Sequence, residues 1–340
     1  MESAPLTCWV LDHPAHMQLF ARWVRAGRSN DLLIITRRPE TEALLATKQG
    51  HLPDRKVLLV KRPAGLGLLP LGRELRAWNR LRMVRAQLKQ QRLIGYPIER
   101  VISKGAPLEL LAAKREGVVS RWYISDCEPN HLAPRLALNS ATDVVLPSSW
   151  RVDLDRGFLN AVQERSDIRL HRLSGELPHC YLSEPHRSAR EEDSLPRILY
   201  RKLVGGGIHD SGEHISAEPL LADMGMQVLT VAENDPVKDP WGLPSMLAEF
   251  DGVLSESVTL AHEAIVQGVP ALLVSAAKRG VLDSYAGGSL LHQLDVPPRR
   301  GMALTAVVSA WREAVNNGMH SPQTAPPWNS AAAELTALIG

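Results

Sequence analysis

Short runs of apolar residues recur along the chain, and each is followed by a polar turn and a segment of helical character. Six such runs lie in the first half and four in the second, at residues 6–11, 31–36, 55–60, 99–103, 120–125, 142–147, 197–204, 226–232, 250–255 and 270–275. Short apolar strands that alternate with helices are typical of parallel sheets covered on both faces. The pattern therefore predicts an α/β protein with two open sheets.

One polar, charged segment with a proline at its end interrupts this alternation at residues 183–196. Such composition is typical of a linker between domains. It predicts an N-terminal Rossmann-like domain over residues 1–185 and a second one over residues 186–325. Residues 326–340 are then expected to form a C-terminal helical tail.

The composition is that of an ordinary globular protein, with 340 residues, 44% hydrophobic residues and a formal net charge of +2. Its three cysteines, Cys8, Cys127 and Cys180, share no close spacing, which indicates neither a zinc site nor a disulfide framework and favours a reducing compartment. The N-terminus lacks the pattern of a secretory signal, and no apolar run approaches the roughly 20 residues of a membrane span. We therefore expect a cytoplasmic protein with no metal and no cofactor.

The loop that follows the first predicted strand, with sequence DHPAH over residues 12–16, brings two histidines next to a predicted helix at 17–26. His16 would lie where that helix begins, so the helix dipole would lower its pKa. A histidine there can donate to substrate oxygens or act as a base. The alternative is that His16 caps the helix or packs within the loop.

Two acids follow the strand at 120–125, in the sequence SDCEPNH. Asp126 and Glu128 would lie near the carboxyl edge of the sheet, where either could deprotonate an acceptor hydroxyl. They could equally cap the next helix. Both are candidate catalytic residues.

Three consecutive glycines follow the first strand of the second domain, in the sequence VGGGIHDSGEH over residues 204–214. Glycine lets the backbone approach a ligand closely, and N–H groups at Gly206 and Gly207 could bind phosphate. The segment lacks the Gly-Lys-Ser/Thr of a P-loop and the GxGxxG spacing of a dinucleotide site. A plain flexible loop is the alternative.

The later stretch SESVTLAHEAIVQGVP combines a Ser/Thr-rich helix start with an acid in an otherwise apolar helix. Ser257 and Thr259 suit a helix N-terminus, whose N–H groups and dipole could hold a diphosphate. Glu263 lies one turn beyond Thr259 and could accept hydrogen bonds from two ribose hydroxyls, each contributing about 1.5–3 kcal/mol. The alternative is a solvated glutamate, but the following Gly268 and Pro270 favour the nucleotide.

A long basic helix is predicted over residues 72–93, which contain seven Lys or Arg and one Glu. Apolar residues such as Leu75, Trp78 and Leu88 recur at roughly helical spacing, so this stripe is expected to pack on the first domain. The basic face would be solvated, or it would contact an anionic acceptor or anionic lipid at the inner face of the membrane. Without a nucleic-acid motif or dispersed aromatics, nucleic acid is not an expected partner.

Taken in order, three motifs resemble those of GT-B proteins, the class with two Rossmann-like domains that includes nucleotide-sugar glycosyltransferases and UDP-N-acetylglucosamine 2-epimerases. The motifs are DHPAHMQLF, ILYRKLVGGGIHDSG and SVTLAHEAIVQGVP, and the resemblance spans residues 9–294. The nearest likeness is to an uncharacterised family of archaea and bacteria within that class. The resemblance implies two parallel sheets that face each other across a cleft.

The resemblance also implies roles for single residues. Glu263 would hold the nucleoside ribose, and the turn with Ser257, Val258 and Thr259 would hold the diphosphate. Arg201 matches a strand arginine that could face the phosphates. His16 would serve the sugar or acceptor side, and His209 resembles a histidine of the epimerases. The substrate would be a nucleotide sugar, with UDP favoured.

Three departures from the family pattern bear on activity. Ser257 and Val258 stand where a glycine pair is expected, so phosphate has less access to the backbone. Residues 104–106 are Lys-Gly-Ala where the epimerases carry a catalytic aspartate, which argues against epimerisation. Glu176 lies in a turn that lacks the lysine of the family pattern.

The leading hypothesis from the sequence is a metal-independent glycosyltransferase that passes a sugar from a nucleotide-sugar donor to an unknown glycan, lipid or small-molecule acceptor. Its rivals are a nucleotide-sugar 2-epimerase and a non-catalytic binding protein of the same shape. The epimerase needs two acid/base groups at the sugar ring, and Val258 favours the non-catalytic rival.

Overall fold

A computed structural model describes residues 5–62, 72–184, 194–202, 225–232, 235, 237–294, 302–318 and 330–340, with backbone only at 73 and 302–305. The chain divides into two compact units. Unit 1 comprises Met1–Leu177 and Ala331–Gly340, and unit 2 comprises Pro178–Ser330.

Unit 1 is built on a seven-stranded parallel sheet with the order β3-β2-β1-β4-β5-β6-β7. Its strands are β1 (Thr7–Leu11), β2 (Leu32–Thr36), β3 (Lys56–Val60), β4 (Arg100–Lys104), β5 (Ser120–Ile124), β6 (Asp143–Leu146) and β7 (Arg169–Arg172). The helices described between them are α1 (Pro14–Ala26), α2 (Pro39–Ala46), α3 (Gly72–Leu93), α4 (Pro107–Arg115), α5 (Leu132–Leu138) and α6 (Phe158–Gln163). Strands β1 and β2 are buried at every position, and four of the five residues in each are apolar.

Unit 2 contains a five-stranded parallel sheet with the order β12-β11-β10-β8-β9. Its strands are β8 (Arg197–Lys202), β9 (Gln227–Ala232), β10 (Gly252–Ser255), β11 (Ala271–Val274) and β12 (Leu291–Leu294). The helices described here are α7 (Leu243–Met246), α8 (Val258–Val266), α9 (Gly280–Tyr285) and α10 (Met302–Asn316), and the chain closes with α11 (Ser330–Ile339). Two hydrophobic clusters contain neighbouring residues of β8, β10 and β11, as expected for strands whose side chains alternate between the two faces of the sheet.

The last helix, α11, belongs to unit 1. The indole Nε1 of Trp23 donates to Thr336 Oγ1 at 3.2 Å, and the Ser174 N–H donates to a Glu334 carboxylate oxygen at 2.7 Å. Unit 1 is therefore assembled from two parts of the chain that are separated by the whole of unit 2.

The two parallel sheets confirm the predicted α/β class, and all ten predicted strands are present with their ends shifted by a few residues. Two further strands, β7 and β12, were not predicted. They form the outer edges of their sheets. An edge strand buries less of its surface, so its sequence can be polar, as in the Arg-Leu-His-Arg of β7.

The predicted packing face of α3 is wrong in part. Leu81 and Leu88 are buried, but Leu75 and Trp78 are 63% and 55% exposed. The prediction placed the charged residues of this helix on its solvent side, but Arg80 is only 4% exposed and lies on the side that faces unit 1. The buried face is rotated from the predicted stripe by about 100°, the angle of one residue position.

Candidate functional site

The switch point of the unit 2 sheet lies between β8 and β10, because the chain proceeds outward from these two strands in opposite directions. In open α/β sheets, ligands bind beyond the carboxyl ends of the strands at such a point. Arg201 of β8 pairs with Ser255 of β10 in the sheet register, and the Glu256 N–H donates to the Arg201 carbonyl at 3.3 Å. Two of the sequence-predicted segments therefore meet at this edge.

The turn from β10 into α8 is held by a buried serine. Ser255 Oγ accepts from the Ser257 N–H and donates to the Ser257 carbonyl, both at 2.9 Å. Ser257 is the N-cap residue of α8, and its own side chain makes no capping hydrogen bond. The side chain of Thr259 in the first turn is exposed. The first turn of α8 thus presents N–H groups that the N-cap side chain does not occupy.

Val258 stands at a position where the family pattern has glycine. Its side chain is partly buried and packs against the hydrophobic cluster of unit 2. The valine therefore contributes to the anchoring of α8. Gly268 has a φ of 74° just beyond α8, a left-handed conformation that favours glycine and lets the chain turn into β11.

Glu263 is 4% exposed and lies on α8 one turn beyond Thr259. The hydroxyl of Tyr181 donates to Glu263 Oε1 at 2.5 Å, across 82 positions of sequence. The side chain of Gln267 donates to the Glu263 carbonyl at 2.8 Å, which fixes the backbone at this point. The acid is therefore not the solvated glutamate of the alternative interpretation. Tyr181 was missed, since nothing in its local sequence indicates a partner so far along the chain.

Arg201 lies near the carboxyl end of β8, as the motif predicts. Its Nη1 donates to the Ala232 carbonyl at the end of β9, at 2.8 Å. This bond holds the guanidinium at the same edge as the start of α8. The predicted residues Gly206, Gly207 and His209 lie outside the described residues, so their roles stay predictions.

The second candidate region is a group of charged and polar side chains at the carboxyl edge of the unit 1 sheet, here called the N-terminal polar cluster. It consists of Asp12, His13, His16, Arg38, Lys104 and Asp126. Asp12 follows β1 and Lys104 ends β4, the two strands between which the strand order of this sheet reverses. Lys104 Nζ contacts an Asp126 carboxylate oxygen at 2.8 Å. The cluster therefore also occupies a switch point.

His13, and not His16, caps α1. Its Nδ1 accepts the Ala15 N–H at 3.3 Å, a bond that requires the neutral imidazole. Burial and the nearby cations Arg38 and Lys104 lower the pKa of His13 to about 3. The cap alternative considered for His16 is thus wrong, because the loop residue three positions earlier takes that place.

His16 is 9% exposed in the first turn of α1, and its ring centre lies 5.8 Å from that of His13. Its Nδ1 is buried and has no hydrogen-bond partner among the described atoms. Burial lowers the pKa of His16 well below the ordinary value of 6.5, and Lys104, His13 and Arg38 lower it further. His16 is therefore a neutral imidazole whose Nδ1 has no hydrogen-bond partner among the described atoms.

A prediction follows from the His13 cap. Replacing His13 with asparagine keeps an oxygen that can accept the same N–H, but removes a group whose pKa falls from 6.5 to about 3 on folding. Between those two values the unfolded wild-type chain binds more protons than the folded chain, so stability falls as the pH falls. Between pH near 7 and near 5, denaturant titrations should show the wild type losing about 1–2 kcal/mol more than His13→Asn. Equal losses would contradict the assigned ionisation.

The polar cluster is anchored from α3. Arg80 Nε contacts Glu109 Oε1 at 2.5 Å, and its Nη2 contacts Asp12 Oδ1 at 2.9 Å. Burial opposes the charge of Asp12, but Arg80, the Thr36 hydroxyl and Arg38 outweigh it and lower the Asp12 pKa. Burial raises the pKa of Glu109. Arg80 of the basic helix thus forms buried ion pairs inside unit 1. The sequence analysis did not predict this role.

Two further acids fix loops in unit 1. Glu128 is 3% exposed and accepts the Arg151 N–H at 3.2 Å. Glu176 accepts hydrogen bonds from Ser148 and Ser149, which follow β6, at 2.8–3.1 Å. Of the two predicted candidate bases, Asp126 is therefore the more accessible, and Glu128 is tied to the backbone.

A cavity of about 670 Å³ lies beside the edge strand β9. It is lined by residues of that strand, by residues 235 and 237–239, and by residues between Gly242 and Glu249. Its lining includes none of the described site residues predicted from the sequence. The predicted site residues that the structure describes therefore lie outside this cavity. In the described ranges, no group of three His, Cys, Asp or Glu is placed to hold a metal ion, and no helix has the length and apolarity to cross a membrane.

Comparison with solved structures shows likeness over almost the whole chain. MnaA of S. aureus with UDP has a TM-score of 0.63 at 10% identity, over 99% of this chain and 95% of that one. UDP-GlcNAc 2-epimerase from Neisseria meningitidis bound to UDP-GlcNAc has a TM-score of 0.62 at 11% identity, over 98% and 99%. Arabidopsis thaliana UGT89C1 complexed with UDP-L-rhamnose has a TM-score of 0.57 at 13% identity, over 99% and 93%.

The chain has a GT-B-like fold. This confirms the predicted fold class of two Rossmann-like domains, while identities of 10–13% extend no further than the fold. No protein-family model and no curated protein sequence matches the chain. Membership of the uncharacterised archaeal and bacterial family therefore stays a prediction.

Proposed function

We propose that the protein is a glycosyltransferase that takes a sugar from a nucleotide-sugar donor and passes it to an acceptor hydroxyl. The observation that carries the proposal is the convergence of Arg201, the Ser257 turn and the α8 helix of Glu263 at the switch point of the unit 2 sheet. A nucleoside diphosphate needs an anion site, and its ribose needs a hydrogen-bond acceptor. In this proposal the start of α8 supplies the first and Glu263 the second, within one strand-turn-helix segment.

In this proposal, the diphosphate binds at the start of α8. The N–H groups and positive dipole of a helix N-terminus favour a negative charge, and Arg201 adds a guanidinium that suits phosphate. These groups would stabilise the charge that develops on the diphosphate as the glycosidic bond breaks. Hydroxyls of Ser257 and Thr259 would supply further hydrogen bonds.

Glu263 would hold the ribose. Its carboxylate is buried, so a hydrogen bond to a ribose hydroxyl would form away from competing water. The Tyr181 hydroxyl already donates to Oε1, which shows that this oxygen accepts a hydroxyl donor. The nucleotide ribose would join or replace that donor.

UDP is the favoured nucleotide because three compared structures contain UDP or a UDP-sugar: MnaA, the Neisseria epimerase and UGT89C1. These proteins share only the fold with this chain. The assignment of the base is therefore part of the proposal and is tested together with it.

The acceptor would be activated in unit 1. The buried Nδ1 of neutral His16 can take the proton of an acceptor hydroxyl as that oxygen attacks the sugar carbon. Asp126 is the alternative base, and its contact with Lys104 would orient the carboxylate. Residues 104–106 are Lys-Gly-Ala where the resemblance implies an aspartate in the epimerases, which favours transfer over epimerisation.

A thermal-shift series tests the donor site. Full-length protein is heated with UDP, GDP and their common sugar conjugates. A nucleotide present at about 100 times its Kd stabilises the folded state by about 2.7 kcal/mol, which corresponds to several degrees in Tm. UDP compounds are expected to give the largest shift, and a protein that responds to none of these nucleotides would contradict the proposal.

Product analysis then separates the rival activities. The stabilising UDP-sugar is incubated with the protein and a panel of acceptors. Release of UDP that depends on an acceptor and on His16 or Asp126 is the expected result. Conversion to an epimeric UDP-sugar without acceptor would establish the epimerase instead. A nucleotide that binds but is never turned over would favour a non-catalytic binding protein.

A further inference from the structure

The outward face of α3 carries an unusual group of side chains, here called the α3 outer face. Its members are Leu75, Trp78, Asn79, Arg82, Met83, Ala86, Lys89, Gln90 and Leu93, all of them exposed. Two of the nine are cations and four are large apolar residues, and the exposed acid Glu74 borders the face one turn before Trp78. The face therefore combines apolar area with positive charge.

The apolar members of this face are concentrated. The described residues include thirteen large hydrophobic side chains that are exposed to solvent. Six of them lie in α3 and the turn that follows it: Leu75, Trp78, Met83, Leu93, Ile94 and Tyr96. Isolated apolar residues on a surface are ordinary, but a contiguous group marks an interaction site. Trp78 is also the one exposed residue among the seven tryptophans that the structure describes.

The positions form a continuous stripe along the helix. Leu75, Trp78, Arg82, Lys89 and Leu93 follow at intervals of 3, 4, 7 and 4 residues, which places them on one side of a helix with about 3.6 residues per turn. The guanidinium carbon of Arg82 lies 4.5 Å from the Trp78 ring centre. Over 22 residues the helix is about 33 Å long, so the stripe is long and narrow.

Three other arginines of α3 form ion pairs within unit 1. Arg80 is buried against Glu109 and Asp12, and Arg85 and Arg92 face Glu116 at 2.8 and 3.9 Å. Neither Arg82 nor Lys89 has an acid within ion-pair distance among the described residues. The α3 outer face therefore carries positive charge from Arg82 and Lys89 that is unpaired among the described residues. A binding partner with complementary charge would have an anionic surface.

We propose that the α3 outer face binds the surface of an anionic phospholipid membrane. A helix lies in the membrane interface when apolar side chains enter the lipid and Lys or Arg side chains extend to the head groups. Tryptophan suits that boundary because its ring is apolar and its N–H is polar. The inner face of α3 is already packed on unit 1, so only this side of the helix meets the lipid.

The test uses full-length protein and sedimentation with vesicles made of equal parts phosphatidylglycerol and phosphatidylcholine, or of phosphatidylcholine alone. Binding is expected with the mixed vesicles, and it should weaken at high salt because surface charges are screened. The triple variant Leu75→Ala/Trp78→Ala/Arg82→Gln is expected to lower the partition coefficient by about tenfold or more. The residues are exposed, so the variant should keep the wild-type circular dichroism and Tm.

The matched control is Leu132→Ala/Arg135→Gln/Leu136→Ala, which removes two exposed leucines and an exposed arginine from α5. It should sediment like the wild type. In parallel, vesicles should protect Trp78 from acrylamide quenching, and Trp78→Phe should lack that protected fraction.

The proposal is overturned if wild-type protein does not sediment with the mixed vesicles, or if the α3 and α5 variants lose binding equally. It is also overturned if light scattering shows a dimer that the α3 variant alone abolishes, or if RNA binds this face while lipid does not. None of these readouts involves a nucleotide, so membrane binding and the donor site can fail independently.

Discussion

Replacing Arg80 with methionine is expected to lower the free energy of unfolding by about 3–5 kcal/mol. The change keeps a long side chain but leaves Glu109, 1% exposed, and Asp12 without the cation that they share. A buried charge that has lost its partner is far more costly than a surface pair that has been broken. Denaturant titration with circular dichroism or tryptophan fluorescence measures the loss.

The control for this prediction lies one and a half turns further along the same helix. Arg85→Met breaks a contact of 2.8 Å with Glu116, but the Arg85 side chain is 43% exposed. We expect a loss of less than about 1 kcal/mol, as for other exposed pairs. Adding Glu109→Gln to Arg80→Met should recover part of the stability, because one of the two stranded charges is removed. Similar losses of unfolding free energy for the Arg80 and Arg85 variants would contradict the stabilising role assigned to the buried Arg80 ion pairs.

Replacing Glu263 with glutamine is expected to weaken the binding of UDP by roughly 10- to 100-fold, the equivalent of losing one or two charge-assisted hydrogen bonds. The glutamine has nearly the same shape, so packing around α8 is preserved. The specific readout is the contribution of the ribose hydroxyls to UDP affinity. Wild-type protein should bind UDP more tightly than a UDP analogue without ribose hydroxyls, and Glu263→Gln should lose that preference, which isothermal titration calorimetry can measure.

Two variants separate a nucleotide role for Glu263 from a structural one. Tyr181→Phe removes the hydroxyl that donates to the carboxylate but keeps the acid, so UDP should bind at least as tightly as to the wild type. Glu249→Gln changes an exposed glutamate in the same unit and should leave binding unchanged. If Glu263→Gln lowers stability while UDP and its analogue bind as before, the acid serves only as the partner of Tyr181.

Buried strands and helix starts could be predicted from sequence because local physics determines them. Residues 32–35 form an unbroken apolar run, and the structure buries all four. The helix α8 begins after Ser257, as the Ser/Thr-rich stretch predicts. The order of these segments also placed Arg201 near the end of one strand and Ser257 just after another strand of the same α/β unit, which explains why they meet at one edge.

The interactions that could not be predicted join distant parts of the chain. Arg80 reaches Asp12 across 68 positions, and Tyr181 reaches Glu263 across 82. A charged residue in a helix is ordinarily expected to face solvent, so the packing stripe of α3 was assigned to the side that in fact carries Leu75 and Trp78. The polar strand β7 was not predicted because a strand at the edge of a sheet buries less surface and can therefore lack the apolar pattern.

The return of α11 to unit 1 limits how this protein can be divided. A fragment that ends at residue 177 would lack the helix that contacts Trp23 and Ser174, and would expose the apolar surface that α11 covers. Because unit 1 contains both ends of the chain, dividing the chain at one position cannot yield a complete unit 1 or an isolated unit 2. An expression clone for unit 1 alone would need residues 331–340 fused behind residue 177 by a short synthetic connector, whereas unit 2 can be excised as one uninterrupted piece.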